Sequence, residues 1–336
     1  MNAPVLEIDN LLVEFPTQRG VIRAVNGVNL TLQQGEKLGL VGESGSGKSM
    51  TLLTLLRLTP HPGRVAGGTV RYQNRDLFAL KPAQMRGLRG KDLAMIFQDP
   101  MTTLNPVYPV GEQIQESLKV HNVFGDAGHR SLWKRAQRRK QRQRIYELMA
   151  EVGIPSPVER FEAYPHEFSG GMQQRAVIAI ALACNPHVLL ADEPTTALDV
   201  TVQAQIMNLL DQINLERRTS VILVTHDLSL AAEFCDRIAV MYAGRVVERG
   251  SVAQVTGDPK HPYTVGLINA LPRLRWGRGQ SLEPIPGEVD LANLPSGCAF
   301  SPRCARALPY CRDQAPQNRV LESGREVCCH LFAEER

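Results

Sequence analysis

Residues Gly42-Glu43-Ser44-Gly45-Ser46-Gly47-Lys48-Ser49 carry the spacing G-x-x-x-x-G-K-[ST]. An apolar run, Lys37 to Val41, precedes them, and a helix-patterned run, Met50 to Leu58, follows. That context is what a phosphate-binding loop requires. Glycines let backbone N–H groups close around phosphate oxygens, and the helix start adds its positive end. Gly42, Ser44, Gly45, Ser46, Gly47 and Met50 would form the cradle and its floor. Lys48 would reach the β- and γ-phosphates, and Ser49 would offer its hydroxyl to Mg²⁺. A chance Gly/Ser loop would lack the flanking strand and helix.

A second constellation is Val188-Leu189-Leu190-Ala191 followed by Asp192-Glu193-Pro194. A buried-type strand that ends in two acids presents them at its edge. Asp192 is placed to hold Mg²⁺, directly or through water, and Glu193 to polarise a water that attacks a γ-phosphate. Many nucleotide-hydrolysing proteins share both motifs, so together they give a reaction class and not a biological role.

The elements that must position these residues follow from patterning. Strands are expected at Leu6–Ile8, Leu11–Phe15, Val21–Leu32, Lys37–Val41, Gly67–Tyr72 and Leu93–Phe97. Helical spacing then takes over at Gly111–Val120, Arg135–Val152 and Gly170–Cys184. Strands return at Val188–Ala191 and Val221–Thr225, followed by helices Thr201–Glu216 and Ser229–Cys235. Ile238–Tyr242 and Arg245–Arg249 read as a hairpin around Ala243-Gly244. The fold class is therefore α/β. It comprises a P-loop core with a mostly parallel sheet, an antiparallel N-terminal β part, an inserted helical subdomain and a small irregular Cys-rich C-terminal domain. The expected divisions are 1–98 with 186–250 for nucleotide binding, 99–185 for the helical insert and 251–336 for the tail.

Composition bounds the rest. The 336 residues are 43% hydrophobic and 21% charged, which fits a folded chain of two or more units. The net charge of +4 and 5% aromatics are weak grounds for a nucleic-acid surface. No apolar run reaches the roughly 18–20 residues needed to cross a bilayer, and the N-terminus has no signal-peptide pattern. The expectation is a chain that stays in the cytosol and docks on something that spans a membrane.

The run Phe168-Ser169-Gly170-Gly171-Met172-Gln173-Gln174-Arg175 resembles the signature of ABC-transporter ATPases. Three further segments stand in that family's order. Phe97-Gln98-Asp99-Pro100 is similar to its Q-loop, Thr196-Ala197-Leu198-Asp199 to its D-loop, and Thr225-His226-Asp227 to its switch histidine. The likeness covers about residues 5–250. Phe168 and Met172 replace the usual Leu and Gln of the signature, but the Ser-Gly-Gly centre is intact. Met95–Pro106, Tyr164-Pro165-His166, His261-Pro262-Tyr263-Thr264 and the Cys-rich tail narrow the resemblance to dipeptide and oligopeptide importers.

That resemblance implies a site split between two subunits. Ser169, Gly170 and Gly171 would cap the γ-phosphate of the partner's ATP, and Asp199 would order the seam. Gln98 would contact Mg²⁺ or the attacking water. His226 would bond the γ-phosphate and orient Glu193. Phe15 would lie against adenine, with a core strand position as its competing reading. The implied partners are a second, different ABC ATPase, two transmembrane permeases and a periplasmic or extracellular substrate-binding protein, with no nucleic acid. The implied location is peripheral, on the cytoplasmic face of a bacterial inner membrane. Nickel, glutathione or murein-peptide import are rival cargoes, and a soluble ABC ATPase acting on nucleic acid is a rival class.

Five of the seven cysteines (Cys298, Cys304, Cys311, Cys328 and Cys329) crowd the last 39 residues. In a reducing compartment such a cluster suggests metal rather than disulfides. The steps C-x5-C-x6-C fit structural zinc knuckles poorly. The family resemblance implies a [4Fe–4S] cluster on Cys298, Cys304, Cys311 and Cys329, with Cys328 as alternate ligand. Zinc and free thiols are the other readings. Finally, Arg130, Lys134, Arg135, Arg138, Arg139, Lys140, Arg142 and Arg144 fall within fifteen residues that contain no acid. A solvated helix face is the expected reading, ahead of contact with anionic lipid and, last, with nucleic acid.

Overall fold

The phosphate-loop glycines need a strand behind them and a helix ahead, and the computed structural model has both. It describes residues 3–18, 20–125, 131–196, 198–270, 285–321 and 324–333, with backbone alone at 131–135. The strands are β1 (Leu6–Thr17), β2 (Gly20–Leu32), β3 (Lys37–Val41), β4 (Arg64–Tyr72), β5 (Arg75–Asp76) and β6 (Leu93–Ile96). They continue with β7 (Val188–Asp192), β8 (Ser220–Thr225), β9 (Arg237–Tyr242), β10 (Arg245–Ser251), β11 (Asn318–Val320) and β12 (Glu326–Cys328). The first helices are α1 (Lys48–Leu55), α2 (Pro82–Leu88), α3 (Pro100–Thr103), α4 (Val110–Val120), α5 (Ser131–Glu151) and α6 (Pro157–Arg160). The rest are α7 (Gly170–Leu182), α8 (Val200–Arg217), α9 (Leu228–Phe234), α10 (Val252–Gly257) and α11 (Pro262–Asn269).

The chain divides into two compact units, Met1–Ala79 with Ile222–Arg336, and Leu80–Val221. In the first, an antiparallel sheet runs β2-β1-β4-β5. The expected break between Ile8 and Leu11 is a bulge within one strand. The register shifts there, and Asn10 takes φ 47°, a left-handed conformation that asparagine tolerates. A second sheet in this unit runs β11-β12-β10-β9-β3 and on to β8. It is parallel where β3 meets β9, and antiparallel from β9 outward to β10, β12 and β11. Leu38, Leu40 and Val41 of β3 are fully buried. Side chains of that size contribute about 1.5–3 kcal/mol each when removed from water. This is the rigid floor from which the glycine loop springs.

The tail, read from sequence as irregular, supplies α10, α11, the edge strand β11 and its inner neighbour β12. Its Pro and Gly content hid these elements because each is short. α11 starts with Pro262 in its first turn, and its cap is the side chain of His261, which accepts from the Tyr263 N–H at 3.0 Å. The tail is also fastened by a buried ion pair. Arg325 donates to Glu248 of β10, whose carboxylate further accepts the N–H of Lys260 at 3.0 Å and of His261 at 2.9 Å.

In the second unit, β6 and β7 pair in parallel, from Leu93 opposite Val188 to Ile96 opposite Ala191. Helices α3 to α7 fall between them in the chain. Ile145, Leu148, Met149 and Val152 of the α5 region are buried at helical spacing. Ile114 and Leu118 of α4, and Val177, Ile178 and Leu182 of α7, are buried too. The basic run from Lys134 onward lies on α5. Within it Arg142 and Arg144 pair with Glu162 and Glu147, and Arg142 stacks over Phe161. Arg130 lies outside the described residues, as do the side chains of Lys134 and Arg135.

Candidate nucleotide-binding and hydrolysis site

In the first unit the loop 42–49 curls around its own lysine. Lys48 is buried, and its Nζ donates to the carbonyls of Gly42 at 2.7 Å and Glu43 at 2.8 Å, with Ser46 Oγ at 3.4 Å. The cation is thus held inside the cradle, facing the carbonyls that frame it. Gly42 and Gly47 are there because nothing larger fits. A Cβ on Gly42 would lie 2.1 Å from the Met241 carbonyl oxygen, and one on Gly47 would lie 2.2 Å from that of Ala24. Gly47 also has φ +100°, and Gly45 φ +77°, both costly for a side-chain-bearing residue. Ser44 and Gly45 are exposed, whereas Ser46 is buried. The Gly244 N–H donates to the Ser46 carbonyl at 2.9 Å, so the β9–β10 turn supports the loop from below. Ser49 and Met50 sit in the first turn of α1, half-buried.

Phe15 of β1 is half-buried, and its ring edge would lie 2.5 Å from a Cβ on Gly63. One side of the ring therefore packs on backbone. His226 follows β8 and is exposed. The residue after it, Asp227, caps α9 by accepting from Ser229 and Leu230 at 2.8 and 3.2 Å.

In the second unit Asp192 ends β7 and is buried. Glu193, next in the chain, takes φ +45°. A non-glycine residue in the left-handed region costs about 1–3 kcal/mol, and such conformations concentrate at functional sites. The turn aims the Glu193 carboxylate at two donors. The Gln98 amide lies at 3.2 Å and the Thr196 hydroxyl at 2.9 Å, both on Oε2. Gln98 and Glu193, 95 positions apart, are thereby brought together. Thr196 escaped the sequence reading of this acid. The only available signal was a hydroxyl three residues beyond Glu193.

Ser169 caps α7, with its Oγ accepting from the Met172 N–H at 3.3 Å. Gly170 opens onto free space, whereas Gly171 faces Val202 of α8 so closely that a Cβ would meet its Cγ1 at 2.9 Å. The signature is thus a capped helix start with its small residues outward or against α8. That arrangement suits an anion approaching the N–H groups. Asp199 caps α8, accepting from Val202 at 2.9 Å. Ala197 lies outside the described residues.

In the tail, burial pushes the Cys298 thiol up to about 11, and the neighbouring Cys329, Cys311 and Cys304 thiols add to the rise. Cys329 is raised in the same way, by burial and then by Cys304, Cys311 and Cys328. Cys298, Cys304, Cys311 and Cys329 therefore act on one another electrostatically, and Cys328 acts on Cys329. Cys328 belongs to this set least. Its thiol donates to the Pro316 carbonyl at 3.3 Å, and adjacent residues of an extended segment point to opposite faces. Among the described residues no group of three or more His, Cys, Asp or Glu side chains could hold a metal ion.

A glycine loop wrapped on a buried lysine between strand and helix defines a P-loop nucleotide-binding protein. The ABC transporter family profile matches residues 25–196, and that of the oligopeptide/dipeptide transporter C-terminal region matches 247–311. The dipeptide transport ATP-binding protein DppD of Haemophilus influenzae is 46% identical over 99% of this chain and 97% of its own length. DppD of Escherichia coli is 44% identical over 97% of this chain and 96% of its own. Among solved structures, the dimeric ATP-binding cassette MJ0796 with ADP and phosphate superposes with a TM-score of 0.63 at 30% identity. The match covers 74% of this chain and 98% of that one. The chain belongs to the ABC transporter family of ATP-binding proteins. Among the described residues no helix is long and apolar enough to cross a membrane.

Proposed function

We propose that this chain hydrolyses ATP to drive import of dipeptides and other short peptides through a membrane permease. One observation carries the reading. The likeness to dipeptide transport ATP-binding proteins runs the length of the chain and includes the C-terminal region specific to oligopeptide and dipeptide transporters.

In this reading the N–H groups of Gly45, Ser46 and Gly47, with Lys48, hold the phosphates, and Phe15 lies on the adenine. Ser49, Asp192 and Gln98 hold Mg²⁺, which supplies charge neutralisation on the phosphate oxygens. Glu193 accepts a proton from the attacking water as the bond from the γ-phosphorus to the ADP oxygen breaks. His226 steadies the γ-phosphate. Ser169, Gly170 and Gly171 meet the ATP held by a second, different ATPase subunit, with Asp199 at the seam. Residues 1–98 with 186–250 make the nucleotide core, 99–185 the helical part and 251–336 the extension. Two permeases and a substrate-binding protein complete the assembly, with this chain peripheral on the cytoplasmic face of the inner membrane.

The same reading gives the tail a [4Fe–4S] cluster on Cys298, Cys304, Cys311 and Cys329. The action of these thiols on one another supports it.

The test is reconstitution of the chain with its permeases, second ATPase and binding protein in liposomes. Dipeptides should stimulate both hydrolysis and uptake, and Glu193→Gln should abolish both. Stimulation by nickel, glutathione or murein peptides instead would reassign the cargo. Stimulation by nucleic acid without the permeases would reject import altogether.

A further inference from the structure

The nucleotide loop is gripped by a part of the chain that the P-loop fold does not supply. Glu43, second in the loop, is held at three points. Its N–H donates to the Tyr263 hydroxyl of α11 at 2.8 Å. Its carbonyl accepts from Lys48 Nζ at 2.8 Å. Its carboxylate takes both arms of the Arg303 guanidinium, at 2.7 and 3.2 Å. Tyr263 and Arg303 both belong to the C-terminal extension, and Arg303 directly precedes Cys304.

Arg303 is built for this contact. Its side chain is only 8% exposed. Its Nε donates to the Pro286 carbonyl at 2.8 Å, and Nη2 lies 3.5 Å from that of Ile285. The guanidinium also sits 5.8 Å from the Tyr242 ring centroid, with Nη1 3.5 Å from its hydroxyl. Tyr242, Tyr263 and Phe300 pack mutually at centroid distances of 4.7 to 5.4 Å, which docks the segment carrying Arg303 onto the end of β9. A fork-on-fork pair this well oriented fixes direction as well as charge.

We propose that Arg303 is a positioning residue for nucleotide binding. Acting through Glu43, it holds residues 42–49 in the phosphate-ready shape, so the Cys-rich extension sets the chain's affinity for ATP. The inference rests on reading 42–49 as the nucleotide loop. Glycines at 42, 45 and 47 leave much of the loop's shape to contacts such as the Lys48 bonds and the Arg303 fork. Releasing Glu43 lets it populate shapes in which the N–H groups no longer converge, and apparent affinity falls by the fraction still competent.

The experiment is Mg-ATP binding by titration calorimetry on the full-length chain, with thermal unfolding measured in parallel. Glu43→Gln should raise the dissociation constant about tenfold, if the competent fraction falls to about a tenth, while the melting temperature moves little. Arg303→Gln should do the same, and the double variant should be no weaker than either single one. Arg303→Lys keeps the charge but loses the fork, so it should recover only part of the affinity. If Arg303→Gln does not fold, Glu43→Gln and Glu43→Asp carry the test from the other side of the pair. Binding that is unchanged or tighter in folded Glu43→Gln overturns the inference, as does strict additivity of the two changes. Lys48→Ala separates the two levels. If wild type binds and Lys48→Ala does not, the loop reading stands whatever Arg303 does. If wild type binds no better than Lys48→Ala, both fall.

Discussion

The side-chain amide of Gln98 donates to the Glu193 carboxylate at 3.2 Å, and the Thr196 hydroxyl donates to the same oxygen at 2.9 Å. These two bonds aim the acid. Glu193→Gln keeps the shape but removes the proton acceptor. Turnover by the assembled transporter should fall about 10²–10⁴-fold while ATP binding persists. Thr196→Val should lower kcat about tenfold, the order expected on losing one oriented hydrogen bond, with KM nearly unchanged. Steady-state ATPase kinetics read both. A drop in KM alone would count against the assignment.

Gly47→Ala should cost more than its size suggests. The new methyl would meet the Ala24 carbonyl at 2.2 Å, and the residue has φ +100°. Strain and clash together should destabilise by about 2–4 kcal/mol. Chemical unfolding measures the stability. ATP binding should disappear in whatever fraction folds.

His261 makes folding stability fall in mild acid. Burial depresses it from the ordinary 6.5 to about 3. Its neutral Nδ1 accepts the Tyr263 N–H, and a proton there would break the cap of α11. Between pH 6.5 and 3 the unfolded chain binds the proton and the folded chain does not. Stability is therefore full above about pH 6.5 and declines as pH falls through that window, by at most about 1.4 kcal/mol per pH unit from this group. His261→Asn keeps a capping acceptor that does not titrate. It should flatten that part of the stability–pH curve in urea unfolding.

The thiol arrangement makes a discriminating prediction about the tail. Anaerobically purified protein should be brown, with iron and acid-labile sulfide near four of each per chain, as a cuboidal cluster requires. Cys329→Ser should lose the iron, and Cys328→Ser should keep it, because the Cys328 thiol is turned to the Pro316 carbonyl. Elemental analysis and a visible spectrum decide. One zinc without sulfide would reject the cluster.

Spacing alone announced the glycine loop, the acid pair and the strand–helix alternation, and the signature was legible through its family resemblance. These are local: each depends on residues within a dozen positions, and periodicity reports directly on which face is buried. The hairpin at Ala243-Gly244 was legible for the same reason. Both residues take positive φ, at 45° and 81°. The reach of Gln98 to Glu193 and the grip of Tyr263 and Arg303 on Glu43 were decided only by tertiary structure. The residues of these pairs stand up to 260 positions apart in the chain. No periodicity encodes such a meeting, because it depends on how already-formed elements pack. The tail's short helices and outermost two strands were hidden likewise. Three-residue strands such as β11 and β12 carry too little pattern to read, and they exist because β10 offers them an edge.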